Sequence, residues 1–300
     1  GSLEKIMDFS EKRELYTKQN EELTSNGYRV IALADGEVDG TTEKDIKSLI
    51  FVGMVAFIDP VREDVKESLK ECEKAGIKYI NAEEFYVTEK IEEGNLVRDN
   101  YHCILIAKNY EGVKELNYLS SQSFNRNDGH FYYNPRITLE ELENTSDNIF
   151  VLTACVAGML CKGTAEVQER FLKFIIKNKD RCWLEIQPHN FDLQIKYNQY
   201  LYGISQKYDL KLIATSDIHA ISKDHMNGRA VMQKSKNVDF HDEDLCDLSW
   251  KSYDDMVSAF EKQNAVARNI FMDAIEETNR LADLVESYEL DYSNKYPRLY

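Results

Sequence analysis

The stretch "ECEKAGIKYINAEEFYV", residues 71–87, decides how the fold is read. Its first half closes a helix: Val61, Val65, Leu69 and Cys72 repeat at i, i+4, i+8 and i+11, and Gly76 ends that apolar stripe. Its second half, Lys78 to Val87, reads as a strand. Upstream, "RVIALA" (Arg29 to Ala34) and "LIFVGMVAFID" (Leu49 to Asp59) are strand candidates, and Pro60 sits well just before the helix. The order predicts a β-α-β unit with a right-handed connection. Phe51 to Ile58 is then expected to pair in the same sheet as Tyr79 to Val87.

The alternation continues downstream. Strands are expected at 101–109, 148–158, 182–189 and 211–220, and helices at 110–124, 165–178 and 192–208. Strands alternating with helices argue for an α/β class, a parallel sheet or barrel. Ser252 with Asp255 three residues on starts an acidic helical tail with a capping-box pattern.

Composition narrows the function. The chain has 37 basic and 53 acidic residues, a net charge of −16, and residues 237–300 carry 15 acidic against 6 basic. Phosphate backbones are gripped by clustered Lys and Arg, so this balance argues against direct nucleic-acid binding over a broad face. Six scattered cysteines, without CxxC spacing and with no signal peptide, point to free thiols in the cytoplasm. The longest apolar run, Leu49 to Ile58, is too short to span a bilayer, so no membrane partner is expected.

Chemistry-bearing residues gather at strand ends. "TSDIHA" places Asp217 and His219 two apart, and alternate strand residues share a face. Glu84 lies in "NAEEFYV", His102 opens "HCILIA" and Cys155 lies late in "VLTACVAG". Carboxylate, imidazole and thiolate together suit zinc or a similar divalent ion. Singly, each has an inert reading as a core thiol, a capped strand end or a surface charge.

"EFYV", "HCILIAKNYEGVKELNYLSS", "FYYNPRI", "LTACVAG", "LEIQPHN", "IATSDIHA" and "AIEETNRLAD" follow in that order. From about residue 76 to the end, the chain resembles the PHP (polymerase and histidinol phosphatase) domain of the bacterial DNA polymerase III alpha subunit. The resemblance implies a distorted β/α barrel, a metal cleft and metal-assisted phosphoester hydrolysis. The ligands it implies here are Glu84, His102, Cys155, Asp217 and His219. The family opens with a His-x-His strand, an Asp and a further turn His, whereas the first histidine of this chain is His102. Glu84, His102 and Cys155 match one metal position. The expectation is therefore at most one zinc or manganese ion per chain.

Residues 10–78 are similar to the cytosolic part of P-type cation-transporting ATPases, on "NEELTSNGYRVIALA" and "LIFVGMVAFIDPVREDVKESLKECEKAGIK". The nucleophile, Thr-Gly-Asp and Gly-Asp-Gly motifs of that family have no counterpart, so neither ATP hydrolysis nor ion transport is expected. The combined expectation is two domains, 1–78 pump-like and 79–300 PHP-like, with the pump-like β-α-β segment replacing the opening barrel strands. Functionally this is a remnant replicative-polymerase PHP domain that binds metal, is weak or inactive as a phosphoesterase, and partners other DNA polymerase III subunits. Three rivals stay open: an active metal-dependent phosphoesterase, a scaffold without metal, and a nucleotide-binding pump fragment.

Overall fold

The computed structural model describes residues 13–25, 29–38, 46–57, 63–92, 94, 96–235 and 246–290. They fall into two compact units, Gly1–Tyr79 and Ile80–Tyr300. The proposed pump hinge, Asp59 and Arg62, and the loop 39–45 lie outside the described residues.

In the first unit a helix, α1 (Arg13–Ser25), precedes two strands, β1 (Arg29–Val38) and β2 (Ile46–Phe57), and a second helix, α2 (Glu63–Lys74), follows. The strands pair antiparallel, Arg29 opposite Phe57 and Ala32 opposite Met54, with register shifts after Leu33 and Glu37. Tyr16 of α1 stacks on Phe51 at 4.1 Å and covers Ala32. The period of two leaves Ile50 and Val52 on the opposite, exposed face. The expected β-α-β unit is therefore corrected: β2 pairs with β1 in a two-stranded sheet, and the strand at 82–88 belongs to another. Two long strands joined by a short connection satisfy their hydrogen bonds against each other first. The pump-like strands accordingly do not replace barrel strands.

The second unit carries β3 (Ala82–Thr88), β4 (Tyr101–Ala107), α3 (Tyr110–Ser123), β5 (Arg136–Thr138), α4 (Leu139–Glu143), β6 (Ile149–Leu152), α5 (Met159–Lys162), α6 (Ala165–Lys177), β7 (Cys182–Ile186), α7 (Asp192–Tyr208), β8 (Lys211–Ala214), α8 (Lys223–Ser235), α9 (Tyr253–Gln263) and α10 (Arg268–Leu284). Six strands form one mixed sheet in the order β5-β3-β4-β6-β7-β8. The β3–β5, β6–β7 and β7–β8 ladders are parallel, and β3–β4 and β4–β6 are antiparallel. Among the described residues the sheet stays open, with β5 and β8 at its edges, where a closed barrel was expected.

Strand parity separates two cores. Cys103, Leu105, Val151, Leu184 and Ile186 face one large cluster with Phe171, Leu201 and Phe271. Ile106, Phe150, Leu152, Trp183 and Ile213 face the other, against Leu281 and Val285. Helix α10, within the stretch expected as an acidic helical tail, packs against the sheet. It buries Phe271, Ala274, Ile275 and Leu281, and Glu277 accepts a 2.8 Å hydrogen bond from Trp183 Nε1. Those apolar positions recur at helical spacing, which is why the helix docks despite its charge. The capping box at Ser252 and Asp255 is present as expected.

Candidate metal centre

The second face of the sheet turns polar towards one end, and the candidate ligands gather there. Glu84 lies in β3 and His102 in β4, diagonal neighbours because Tyr86 stands opposite His102. The Tyr86 ring meets the imidazole edge-on at 5.1 Å. Glu84 Oε1 lies 2.6 Å from His102 Nδ1, and Cys155 Sγ lies 3.5 Å from the same nitrogen. Three donors of different type therefore converge on one point.

Cys155 reaches this point from a turn beyond β6, where a continuing strand was expected. Ala154 takes a left-handed φ of 58°. His102 N donates to Ala157 O at 3.1 Å, and Ala157 N donates to Cys155 Sγ at 3.5 Å. The turn needs Gly158, since a Cβ there would lie 2.3 Å from Thr153 O and 3.0 Å from Cys155 O. Both obstructing atoms are backbone and cannot swing away. Gly158→Ala is expected to lower stability by roughly 1–3 kcal/mol. Paired thermal melts check this, and equal melting temperatures would refute the role given to the turn.

Donor chemistry fits a divalent ion at Glu84, His102 and Cys155. Ligand atoms around a tetrahedral zinc lie about 3.3–3.7 Å apart at usual bond lengths. The His102–Cys155 spacing of 3.5 Å already lies in that range, whereas the Glu84 hydrogen bond at 2.6 Å is tighter than a metal would hold. Among the described residues no group of three His, Cys, Asp or Glu side chains stands at metal-binding spacing. Burial pushes the Cys155 thiol well up, a hydrogen bond from Ala157 opposes this, and the negative field of Asp217, Glu84 and Glu185 adds to it.

Asp217 and His219 lie in a loop past β8, where a strand end was expected. Asp217 takes a left-handed φ of 48°, so strand alternation does not orient the pair. They meet directly, His219 Nε2 lying 3.1 Å from Asp217 Oδ1. Burial pushes the Asp217 carboxyl up, but the His219 hydrogen bond and the imidazoles of His219, His189 and His102 outweigh it and hold it low. Arg229 of α8 brings Nη2 to 3.2 Å from His219 Nδ1.

A further polar row was missed. Glu185, Gln187 and His189 follow Trp183 at every second position and are 1%, 2% and 5% exposed. Glu185 Oε1 accepts from Gln187 Nε2 at 3.0 Å and from Thr215 Oγ1, while its other oxygen is buried without a partner among the described residues. Burial pushes the Glu185 carboxyl up to about 7, against those two hydrogen bonds. Burial pushes His189 down to about 4. The signal was in "WLEIQPH": polar groups at every second place of a strand whose intervening residues are apolar.

The PHP domain family matches residues 12–189, more than half of the chain. That match includes most of residues 10–78, the stretch for which a pump-like origin was expected, and the comparisons give that origin no support. A DNA polymerase III subunit alpha from Aquifex aeolicus is 30% identical over 249 residues, covering 73% of this chain and 21% of its own length. The subunit alpha from Borreliella burgdorferi is 27% identical over 238 residues, covering 74% of this chain and 20% of its own length. A PolC-type DNA polymerase III from Thermotoga maritima is 26% identical over 203 residues. This chain spans about a fifth of the length of the two alpha subunits. No helix among the described residues is long and apolar enough to cross a membrane. The chain belongs to the PHP domain family.

Proposed function

We propose that this is a replicative-polymerase-type PHP domain holding one divalent ion, zinc or manganese, on Glu84, His102 and Cys155, and weak or inactive as a phosphoesterase. The reading rests on the convergence of Glu84 Oε1 and Cys155 Sγ on His102 Nδ1, at 2.6 and 3.5 Å. A bound ion would supply Lewis-acid polarisation of a phosphoryl oxygen. The chain's own residues bind it through carboxylate, imidazole and thiolate, and Tyr86 packs the imidazole in place. Low activity follows from the missing histidines, since phosphoryl transfer on a single ion lacks the clamp that two metals give to attacking and leaving oxygens.

Residues 1–78 form, in this reading, a fused pump-like segment without pump chemistry, and 79–300 the PHP-like part. The relatives named as DNA polymerase III alpha subunits support other polymerase subunits as partners, in the cytoplasm. A net charge of −16 speaks against a broad DNA-binding face.

Loading with zinc at neutral pH, desalting and measuring metal per chain tests the reading, with about one equivalent expected. No retained metal favours the scaffold. Two or three equivalents require ligands beyond these three. Rapid, manganese-dependent hydrolysis of a small phosphoester would replace the remnant with an active phosphoesterase.

A further inference from the structure

The loop between α3 and β5, residues 124–135, is braced from several sides. The Arg136 guanidinium is 1% exposed and donates to Val97 O, Gly129 O and His130 O at 2.5, 3.0 and 3.3 Å. Those bonds tie the loop to the segment that leads into β4. His130 is held between Asp128 Oδ1 at 2.7 Å and Glu141 Oε1 of α4 at 3.0 Å. Gly129 has a φ of 90°, and a Cβ there would lie 2.8 and 2.9 Å from Leu96 and Ile91. Phe131 N donates to Asn125 O at 2.8 Å. Such bracing fixes the side chains that the loop carries outward.

Those side chains are aromatic and cationic. Tyr133 takes a left-handed φ of 63°, unusual for a bulky residue, and stays 63% exposed. Arg98 Cζ lies 4.4 Å over its ring. Arg126 Cζ lies 4.1 Å over Phe131, which packs against exposed Phe124 at 6.1 Å. The neighbouring acids are already engaged. Asp99 accepts from Thr88 Oγ1 and Glu89 N at 2.5 and 3.0 Å and lies 3.5 Å from Arg136, while Asp128 is held by His130 and Asn125. Among the described residues Arg98 and Arg126 are thus left with rings for partners and no carboxylate. Two cations without an anion are an exception in a chain of net charge −16.

We propose that this loop is a docking surface for an acidic segment of a protein partner. The two planar forks pair with carboxylates, and exposed Phe124 and Tyr133 receive an apolar side chain of the same segment. A guanidinium laid on a ring has already given up much of its freedom, so less is lost when a carboxylate meets it. Arg, Tyr and Phe are also enriched where protein interfaces concentrate their contacts. A polynucleotide fits less well, because it brings a phosphate with every base and only two cations meet them. The proposal rests neither on the metal position nor on the polymerase-subunit partners proposed above.

Fluorescence anisotropy on the full chain tests this, with a labelled twelve-residue peptide of Asp and Glu carrying two Phe as the probe. Saturable binding is expected, weakened about fivefold or more by Arg98→Ala and by Arg126→Ala. Arg98→Gln serves should the alanine variant fail to fold. Arg98→Lys is expected to recover only part of the loss, since an ammonium has no fork. Lys207→Ala, which removes another cation lying over a ring, 4.8 Å from that of Tyr208, is the control and leaves the affinity unchanged. No binding by the parent chain, or unaltered affinity in both arginine variants, overturns the proposal. So does tighter, Arg98-dependent binding of an oligothymidylate of the same length, which would make the surface one for single strands.

Discussion

Replacing Cys155 with alanine should strip at least about nine-tenths of the tightly held zinc, and His102→Ala should do the same. Three protein groups are the fewest that hold zinc well with one position open, and two compete poorly with water. Nδ1 of His102 is the point on which the other two converge, so its loss removes the geometry as well as a ligand. Cys155→Ala removes the thiolate at that point and its bond from Ala157 N, while the Gly158 N to Cys155 O and His102 N to Ala157 O bonds of the turn remain. His225→Ala is the control, because that exposed residue on α8 lies outside the group. Metal per chain on folded, desalted protein is the measurement. A Cys155→Ala protein that keeps its full metal content would move the site elsewhere.

The α/β alternation from residue 82 onward was legible because its signals are local. The expected helix 192–208 coincides with Asp192–Tyr208, and the expected strands at 101–109 and 182–189 overrun β4 and β7 by only a few residues. The error at the front was one of pairing. Apolar runs at 29–34 and 49–59 identify strands, but nothing in a period of two says which strand each will meet. Long β1 and β2 found each other across a short connection, so β2 pairs antiparallel with β1 and not with the strand at 82–88.

At the site, residue types were legible and their supports were not. Strand alternation suggested that Asp217 and His219 would share a pocket, and they do meet, but through a left-handed turn at Asp217. Arg229 comes from a segment whose approach to the site depends on tertiary packing. Glu185 is legible as a charge in an apolar strand, but its burial depends on packing over the sheet that the strand's own residues do not encode.

That carboxyl should make stability depend on pH in a way that glutamine abolishes. Burial raises Glu185 to about 7 in the folded chain, from the usual 4.5. Between these values the folded state holds a proton that the unfolded state has released, so stability falls as pH rises. The contribution is fully present below about 4.5 and is lost as pH passes 7. His189 works in the opposite sense: lowered to about 4 from the usual 6.5, it makes stability rise with pH across that interval. The two slopes partly cancel in the parent chain. Glu185→Gln removes only the first, because an amide mimics the protonated carboxyl and still offers Oε1 to Gln187 and Thr215. Urea unfolding with chelator present, at pH 4.5 and pH 8, isolates the term, since His189 is common to both proteins and drops out of their difference. From pH 4.5 to pH 8 the variant should gain about 3 kcal/mol on the parent, the value of the shift at 1.36 kcal/mol per unit. A difference that does not change with pH would mean that Glu185 ionises in the fold as it does in water, and the buried polar row would then have to be wet.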